Sequence, residues 1–200
     1  MSAPGGAEVA LGVRLTHVFL DRDGTLIRHV PYLRDPRDVE LLPTVAAGLD
    51  ELRKSGRRLF LHTNQSGIGR GYFSLADAVA CNEAMLRQIG LGSGLFEDIC
   101  ICPEMPDQES RYRKPSAAWG LEIIARDAIE RGAACYVGDN VTDLETARNI
   151  GCAGVGVNTG AHDLRQMLRA SDLEQFPVFD RFVDAASYIV DQRRLSNGTN

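Results

Sequence analysis

Two aspartates in the stretch VFLDRDGTL (residues 18–26) have a spacing suited to catalysis. Asp21 and Asp23 stand two residues apart, directly after an apolar run. On an extended segment, residues at this spacing face the same side, so one carboxylate can attack a substrate while the other transfers protons. Gly24 follows at once, and glycine permits the sharp turn that would bring both side chains to one substrate. The stretch is therefore a candidate site for covalent catalysis.

Three further polar clusters lie where predicted strands end or a predicted helix begins. They are TNQS (residues 63–66), Arg113 with Lys114, and Asp139 with Asp143. Crowded aspartates are unfavourable unless a cation relieves their repulsion, and a few carboxylates with water suit Mg²⁺. A lysine, the Thr63 hydroxyl and loop N–H groups can hold an anion. Together the clusters predict a Mg²⁺-dependent site for a phosphoryl group.

Strand-like apolar runs alternate with helix-like segments along the chain. Predicted strands cover residues 15–20, 58–63, 98–102, 134–139 and 152–157, and predicted helices cover 43–56, 74–90, 116–132, 141–151 and about 184–194. Short strands that are apolar throughout, separated by helices, are typical of a parallel sheet covered on both faces. Ligands bind such sheets at the carboxyl ends of the strands. The sequence thus predicts an α/β, Rossmann-like three-layer α/β/α sandwich with the polar clusters at one edge.

Composition and charge bound the class of protein. The chain has 200 residues, is 44% hydrophobic and carries a formal net charge of −5. This length supports one domain with a sizeable core, predicted at residues 15–194 between flexible tails at 1–14 and 195–200. The negative charge argues against attraction to nucleic acid or to an anionic membrane. The expected partner is a small metabolite, and the expected state is a monomer or small homo-oligomer.

The cysteines indicate a reducing compartment. They are Cys81, Cys100, Cys102, Cys135 and Cys152. Their odd number and the apolar surroundings of several indicate reduced thiols in a cytoplasmic protein. The N-terminus resembles no secretion signal, and no apolar run is long enough to span a membrane. Cys100 and Cys102, which alternate with isoleucines, are interpreted as small core residues, and His62 as a hydrogen-bonded core residue.

The four clusters also carry a family resemblance. DRDGTL, TNQSGIGRG, RKP and GDNVTD, in this order and spacing, resemble the four motifs of the haloacid dehalogenase (HAD) superfamily of phosphatases, over about residues 16–160. The resemblance implies that Asp21 is the nucleophile that forms an aspartyl-phosphate. It implies that Asp23 is the general acid and base and a metal ligand through its backbone carbonyl. Thr63 and Lys114 would hold the phosphoryl oxygens. Asp139 would complete the Mg²⁺ site, with Asp143 supporting it.

The motif spacing and wording narrow the resemblance to one branch. The intervals between motifs have no room for an inserted cap domain, so a capless enzyme is expected. TNQSGIGRG, ICPEMP, RKP and IRHVPYLRDPRDVELLP are most similar to the branch of D,D-heptose 1,7-bisphosphate phosphatases and histidinol-phosphate phosphatases. The residues predicted to contact the substrate are His29, Tyr32, Asn64, Gln65, Ser66, Arg70, Arg113 and Asn140.

The chain departs from that branch in two places. Where the branch usually has a zinc loop with cysteine and histidine ligands, this sequence has Cys102, Glu104, Ser110 and Tyr112. A structural zinc needs about four nitrogen or sulfur ligands, so no structural zinc is predicted. Asn140 stands where the heptose enzymes tend to have a lysine.

The leading functional hypothesis is a Mg²⁺-dependent phosphatase that removes the 7-phosphate of D-glycero-D-manno-heptose 1,7-bisphosphate. One alternative is a histidinol-phosphate phosphatase. Two others are a nucleic-acid 3′-phosphatase, against which the acidic charge and the absence of a basic, aromatic-rich patch argue, and a non-catalytic scaffold. Scaffolding has no need for Asp21, Asp23, Thr63, Lys114 and Asp139 together.

Overall fold

The computed structural model describes residues 14–169 and 171–192. The predicted tail at residues 195–200 and all but the last residue of the tail at 1–14 lie outside the described residues. Within them the strands form one parallel sheet in the order β3-β2-β1-β4-β5-β6. The strands are β1 (His17–Leu20), β2 (Arg58–Asn64), β3 (Phe96–Cys102), β4 (Ala134–Gly138), β5 (Ala153–Val157) and β6 (Val178–Phe179).

Helices cover both faces of this sheet. They are α1 (Val45–Lys54), α2 (Ser66–Gly69), α3 (Leu75–Ile89), α4 (Ala118–Arg126), α5 (Val141–Ile150), α6 (Leu164–Leu168) and α7 (Phe182–Asp191). Val18 and Leu20 of β1 pack in the cluster that contains α1, α3 and α7. Phe19, between them, points to the other face and packs with α4 and α5. The predicted three-layer α/β/α fold is confirmed. None of the helices in the described part of the chain is long and apolar enough to cross a membrane.

Several predicted boundaries differ from the structure. The helix predicted at residues 116–132 ends at Arg126, because Ala128 takes a left-handed conformation (φ 51°) and Ile129 N–H bonds back to the Ile124 carbonyl at 3.1 Å. The last helix starts at Phe182, earlier than predicted, and the prediction for residues 193 and 194 lies outside the described residues. The elements α2, α6 and β6 were not predicted, since two to five residues carry too little periodicity to detect.

The order of the strands creates the crevice for the site. The chain passes from central β1 outward through β2 and β3, and then returns to the other side of β1 with β4, β5 and β6. Leu20, the last residue of β1, pairs with Leu61 of β2 and Val137 of β4, each two residues before a polar residue of the site, Thr63 and Asp139. A sheet whose strand order reverses in this way opens a crevice at that point. Asp21, Thr63 and Asp139 come from these three strand ends.

Candidate active site

A buried lysine joins two of the aspartates. The Asp21 N–H donates to the Val137 carbonyl at 2.9 Å, which fixes the residue at the end of β1. Lys114 Nζ contacts Asp21 Oδ1 and donates to Asp143 Oδ1 at 2.6 Å. All three side chains are buried, with 10% or less of each exposed. Burying a charge is costly unless it is paired. The two carboxylates offset this cost for Lys114 and hold its ammonium group between them.

Asn64 holds the backbone of Lys114. Its Oδ1 accepts from the Lys114 N–H at 3.1 Å, and its Nδ2 donates to the Lys114 carbonyl at 3.2 Å. The strand β2 extends through Asn64, one residue beyond its predicted end, and carries this side chain toward Lys114. The amide of Asn64, which the sequence predicts as a substrate contact, thus serves first to position the lysine.

Three carboxylates converge beside Lys114. Oxygen atoms of Asp21, Asp139 and Asp143 all lie within 4.8 Å of one another. Burial raises the pKa of Asp21 to about 7, although the positive charge of Lys114 acts to lower it. Burial and the negative charge of Asp21 together raise the pKa of Asp139 to about 8. Burial alone would lower the pKa of Lys114, but Asp143 and Asp21 raise it above its usual value. One lysine among three carboxylates leaves excess negative charge, and an all-oxygen donor set with that charge fits Mg²⁺.

Backbone packing leaves no room for side chains next to Asp139. Gly24 has φ +87°, and a Cβ there would lie 2.4 Å from Asp139 Oδ2; at Gly160 it would lie 1.8 Å away. Thr25 Oγ1 donates to Asp139 Oδ1 at 3.0 Å. The predicted turn at Gly24 is therefore present, and it also lets the loop after β1 close over this carboxylate.

Asp23 has a different set of partners. β1 ends at Leu20, so the extended segment assumed for the two aspartates stops before them. The Asp23 carboxylate accepts from Arg22, from Gln65 Nε2 at 2.8 Å and from Thr63 Oγ1 at 3.3 Å. Gln65 also donates to Thr63 Oγ1 at 2.7 Å. The Asp23 side chain is therefore not part of the three-carboxylate cluster, and its predicted role as a metal ligand rests on its backbone carbonyl.

A pocket of about 340 Å³ opens beside Asp23. Its lining residues are Asp23, His29, Val30, Pro31, Tyr32, Leu33, Asn64, Gln65, Ser66, Gly67 and Phe73. It therefore includes five of the predicted substrate contacts. The rim is accessible, since His29 is exposed and Tyr32 is 49% exposed.

The other three predicted substrate contacts are not among these lining residues. Asn140 caps α5: its Oδ1 accepts from Thr142 N–H at 3.2 Å, and its own N–H donates to Asp143 Oδ2 at 3.1 Å. Arg113 donates from Nη1 to the Glu104 carbonyl at 2.9 Å. Arg70 is exposed just after α2. Burial lowers the pKa of Arg113, and the charge of Arg70 acts in the same direction.

Sequence reasoning missed Arg22, Thr25 and Thr159, which contact the aspartates or the Gly24 carbonyl, and Asn82, which accepts a hydrogen bond from Arg22. An arginine directly after an apolar strand gives no sign of being buried, and Asn82 lies in the middle of α3 with no motif around it. A hydrogen bond between distant residues leaves no trace in one sequence.

The buried trio His62, Cys100 and Cys102 also brings ligand atoms together. His62 Nε2, however, faces the Tyr112 carbonyl at 2.8 Å, and a carbonyl can only accept, so this nitrogen carries the proton. Nδ1 then accepts from the Tyr136 hydroxyl at 2.6 Å. Burial lowers the pKa of His62 to about 3, which keeps the ring neutral. With both ring nitrogens engaged, the arrangement is a hydrogen-bonded core cluster rather than a metal site.

The donor sets predict which metals the protein needs. EDTA should abolish phosphatase activity and added Mg²⁺ should restore it, because the three carboxylates offer only oxygen ligands. Elemental analysis of the purified protein should find less than stoichiometric zinc, because Glu104 accepts a hydrogen bond from Ser110 at 3.0 Å and His62 has no free lone pair. One zinc per chain, lost in a Cys100→Ser and Cys102→Ser double variant, would contradict this; Cys81→Ser is the control.

Comparisons with known proteins show which family the chain belongs to. Residues 111–185 match a family model described as HAD-hydrolase-like. A D-glycero-D-manno-heptose-1,7-bisphosphate 7-phosphatase from Thermosynechococcus vestitus is 31% identical over 73% of this chain and 80% of its own length. A D-glycero-beta-D-manno-heptose-1,7-bisphosphate 7-phosphatase from Haemophilus ducreyi is 33% identical over 86% of this chain and 97% of its own length.

A solved structure shows the same fold. The D,D-heptose 1,7-bisphosphate phosphatase of B. bronchiseptica, complexed with magnesium and phosphate, superposes with a TM-score of 0.80 at 28% identity, over 88% of this chain and 99% of that one. The extent of these matches, on a fold that carries three of the four motifs at strand ends and the other just before α4, establishes that this chain belongs to the HAD superfamily and is one of its phosphatases, a hydrolase of phosphoric monoesters.

Proposed function

We propose that the protein removes the 7-phosphate of D-glycero-D-manno-heptose 1,7-bisphosphate in a Mg²⁺-dependent reaction. The observation that carries the proposal is the buried Asp21–Lys114 contact beside the cluster of Asp139 and Asp143. It gives a carboxylate nucleophile, a cation for the phosphoryl group and an oxygen-lined metal site at one point. The heptose substrate is supported by relatives about one-third identical that bear this name.

The chemistry divides between the two aspartates. Asp21 attacks phosphorus, the bond from phosphorus to the sugar oxygen breaks, and Asp23, which enters this step protonated, gives its proton to that oxygen. Asp23 then takes a proton from water, which attacks the aspartyl-phosphate and releases phosphate and free Asp21. Lys114 and Thr63 hold the phosphoryl oxygens. Asp21, Asp139 and the Asp23 carbonyl would hold Mg²⁺, with Asp143 supporting the site, and the bound ion would supply positive charge to the phosphoryl group.

The pocket suits a sugar as the leaving group. It begins at Asp23, where the proton is transferred, and Tyr32 stands at its rim. Tyr32 packs edge-on against Tyr72 with their ring centroids 4.8 Å apart, which steadies a flat surface for a sugar ring. His29, Ser66, Gln65 and Asn64 supply polar atoms along the wall.

A second phosphate needs a cationic partner at the rim. Arg113 donates from one nitrogen of its guanidinium to the Glu104 carbonyl, and Arg70 is exposed just after α2. The planar fork of a guanidinium matches phosphate oxygens. We therefore propose that Arg113 and Arg70 hold the distal phosphate. Asn140 is proposed to contribute to substrate binding through the backbone turn at the start of α5, which it caps.

Replacing Arg113 tests the substrate. Arg113→Ala should lower kcat/KM for the heptose bisphosphate by roughly 10- to 100-fold, the value of a charge-assisted hydrogen bond. The loss should be much smaller for an aryl phosphate, which has no distal phosphate. Arg111→Ala is the matched control, because this neighbouring arginine is 71% exposed and pairs with Glu122. Equal losses on both substrates would contradict the distal-phosphate role and favour a monoester such as histidinol phosphate, to be assayed beside a 3′-phosphorylated oligonucleotide.

We also propose that the protein acts in the cytoplasm on a small metabolite, as one domain over residues 15–194 and as a monomer or small homo-oligomer. Its cysteines are all free thiols, which suits a reducing compartment. The net charge of −5 disfavours nucleic acid as a partner.

A further inference from the structure

Arg22, between the two aspartates of the first motif, has a fully buried side chain. Its relative exposure is 0%, and it heads the group of largest fully buried side chains. Placing a guanidinium out of water is costly unless carboxylates and hydrogen bonds compensate it. Its partners therefore indicate what the side chain does.

The guanidinium holds the Asp23 carboxylate with two nitrogens. Arg22 Nε donates to Asp23 Oδ2 at 3.0 Å, and Nη2 donates to Oδ1 at 3.3 Å. A fork that meets both oxygens fixes the plane of the carboxylate as well as its position. A single hydrogen bond would leave the carboxylate free to rotate.

The remaining nitrogen anchors the guanidinium to the fold. Arg22 Nη1 donates to Asn82 Oδ1 at 2.8 Å, and Asn82 is 4% exposed within the long helix α3. The chain thus builds a buried connection from α3 through Arg22 to Asp23. The Oδ2 atom of Asp23 also accepts from Gln65 Nε2 and Thr63 Oγ1, whereas Oδ1 accepts from Arg22 Nη2.

We propose that Arg22, braced by Asn82, is a positioning residue that orients the Asp23 carboxylate for proton transfer to the leaving oxygen. The proposal rests on the proposed function, in which Asp23 is the general acid. Arg22 has no exposed surface with which to touch a substrate, so it acts through Asp23. Within the described residues, the hydrogen bonds of the Arg22 guanidinium go to Asp23 and Asn82. None of them goes to Lys114 or to the three-carboxylate cluster that includes Asp21.

This role predicts a loss that depends on the leaving group. The value of kcat/KM reports the steps up to departure of the leaving group. The leaving group of glycerol 2-phosphate is an alkoxide, whose departure needs a proton from the general acid. The leaving group of p-nitrophenyl phosphate is a stable phenolate, whose departure needs that proton little. A misplaced general acid should therefore lower kcat/KM for glycerol 2-phosphate by about 100-fold, and for p-nitrophenyl phosphate by less than about tenfold.

The backbone around Arg22 does not depend on its side chain. Its carbonyl accepts from the N–H groups of Leu26 and Ile27 at 2.9 and 3.1 Å, and these bonds use no side-chain atom of Arg22. Arg22→Met keeps the volume without the fork, and Arg22→Lys keeps the charge without the fork. The double variant Arg22→Met with Asn82→Leu removes both polar partners, which avoids an unsatisfied buried amide and provides a folded protein if the single variant fails.

The experiment measures kcat/KM for both substrates in the full-length Mg²⁺-bound enzyme, with Asp23→Asn as reference. Support requires that Asp23→Asn and the arginine variants, Arg22→Lys included, all lose far more on glycerol 2-phosphate, while binding of BeF₃⁻ at Asp21 is retained. If Asp23→Asn shows the difference and the folded arginine variants lose equally on both substrates, the positioning role is overturned and the proposed function stands. If Asp23→Asn itself shows no difference, the acid role of Asp23 falls, and this inference falls with it.

Discussion

Asp21→Asn is expected to abolish steady-state turnover on every phosphomonoester, with a loss of roughly 10⁵-fold or more, as for other removed nucleophiles. An amide of the same size fits between the strand end and Lys114 but cannot form the acyl-phosphate bond. BeF₃⁻, which mimics that phosphoryl group on a carboxylate, should no longer bind. Asp23→Asn should also cripple turnover, yet it leaves Asp21 and Lys114 in place and should still bind BeF₃⁻.

The controls separate chemistry from folding. Asp172→Asn changes an exposed aspartate that pairs with Arg148 at the surface, and its activity should match that of the unmodified protein. The thermal midpoint of Asp21→Asn should not fall, because one negative charge leaves a cluster that has three carboxylates and one lysine. Undiminished turnover in Asp21→Asn would refute the nucleophile assignment.

The sequence predicted which strand ends meet, and the reason is topological. A parallel α/β sheet brings the carboxyl ends of its strands to one edge whatever the details of the loops. Asp21, Thr63 and Asp139 were therefore expected near one another, and they follow the neighbouring strands β1, β2 and β4. The short elements β6 and α6 carry too few residues for a periodic pattern, and so the sheet was expected to have one strand fewer.

The direction of each polar side chain was not predictable in the same way. Asn64, Gln65 and Asn140 are predicted to contact a substrate, and in the structure their amides bond to Lys114, to Asp23 with Thr63, and to the first turn of α5, while Asn64 and Gln65 also line the pocket. The side-chain amides of asparagine and glutamine can bond to nearby backbone or side-chain groups instead of a ligand. One sequence reports residue types at a strand end, but not their rotamers.

Lys114→Met is expected to lower both the stability and the activity of the protein. Nζ lies between Asp21 and Asp143, which are buried, with Asp139 beside them. Removing one partner from a buried ion pair costs about 3–5 kcal/mol of unfolding free energy. Loss of a cation from the phosphoryl site should lower kcat/KM by roughly 10²–10³-fold. Thermal unfolding and steady-state kinetics measure the two effects.

The dependence on metal and on substrate distinguishes a catalytic role of Lys114 at the phosphoryl group from a purely structural one. Because Mg²⁺ supplies positive charge to the same carboxylates, the stability loss of Lys114→Met should be larger in EDTA than in Mg²⁺. The kinetic loss should be similar for the heptose bisphosphate and an aryl phosphate, since Lys114 acts on the reacting phosphoryl group that both substrates share. Arg113→Ala, in contrast, should affect the two substrates differently.

Lys114→Arg is the charge-matched comparison. It should recover stability in EDTA better than Lys114→Met does, while the bulk of arginine in this buried position still impairs turnover. A methionine variant that unfolds at the unmodified midpoint in EDTA would show that the carboxylates do not depend on this lysine for their charge balance.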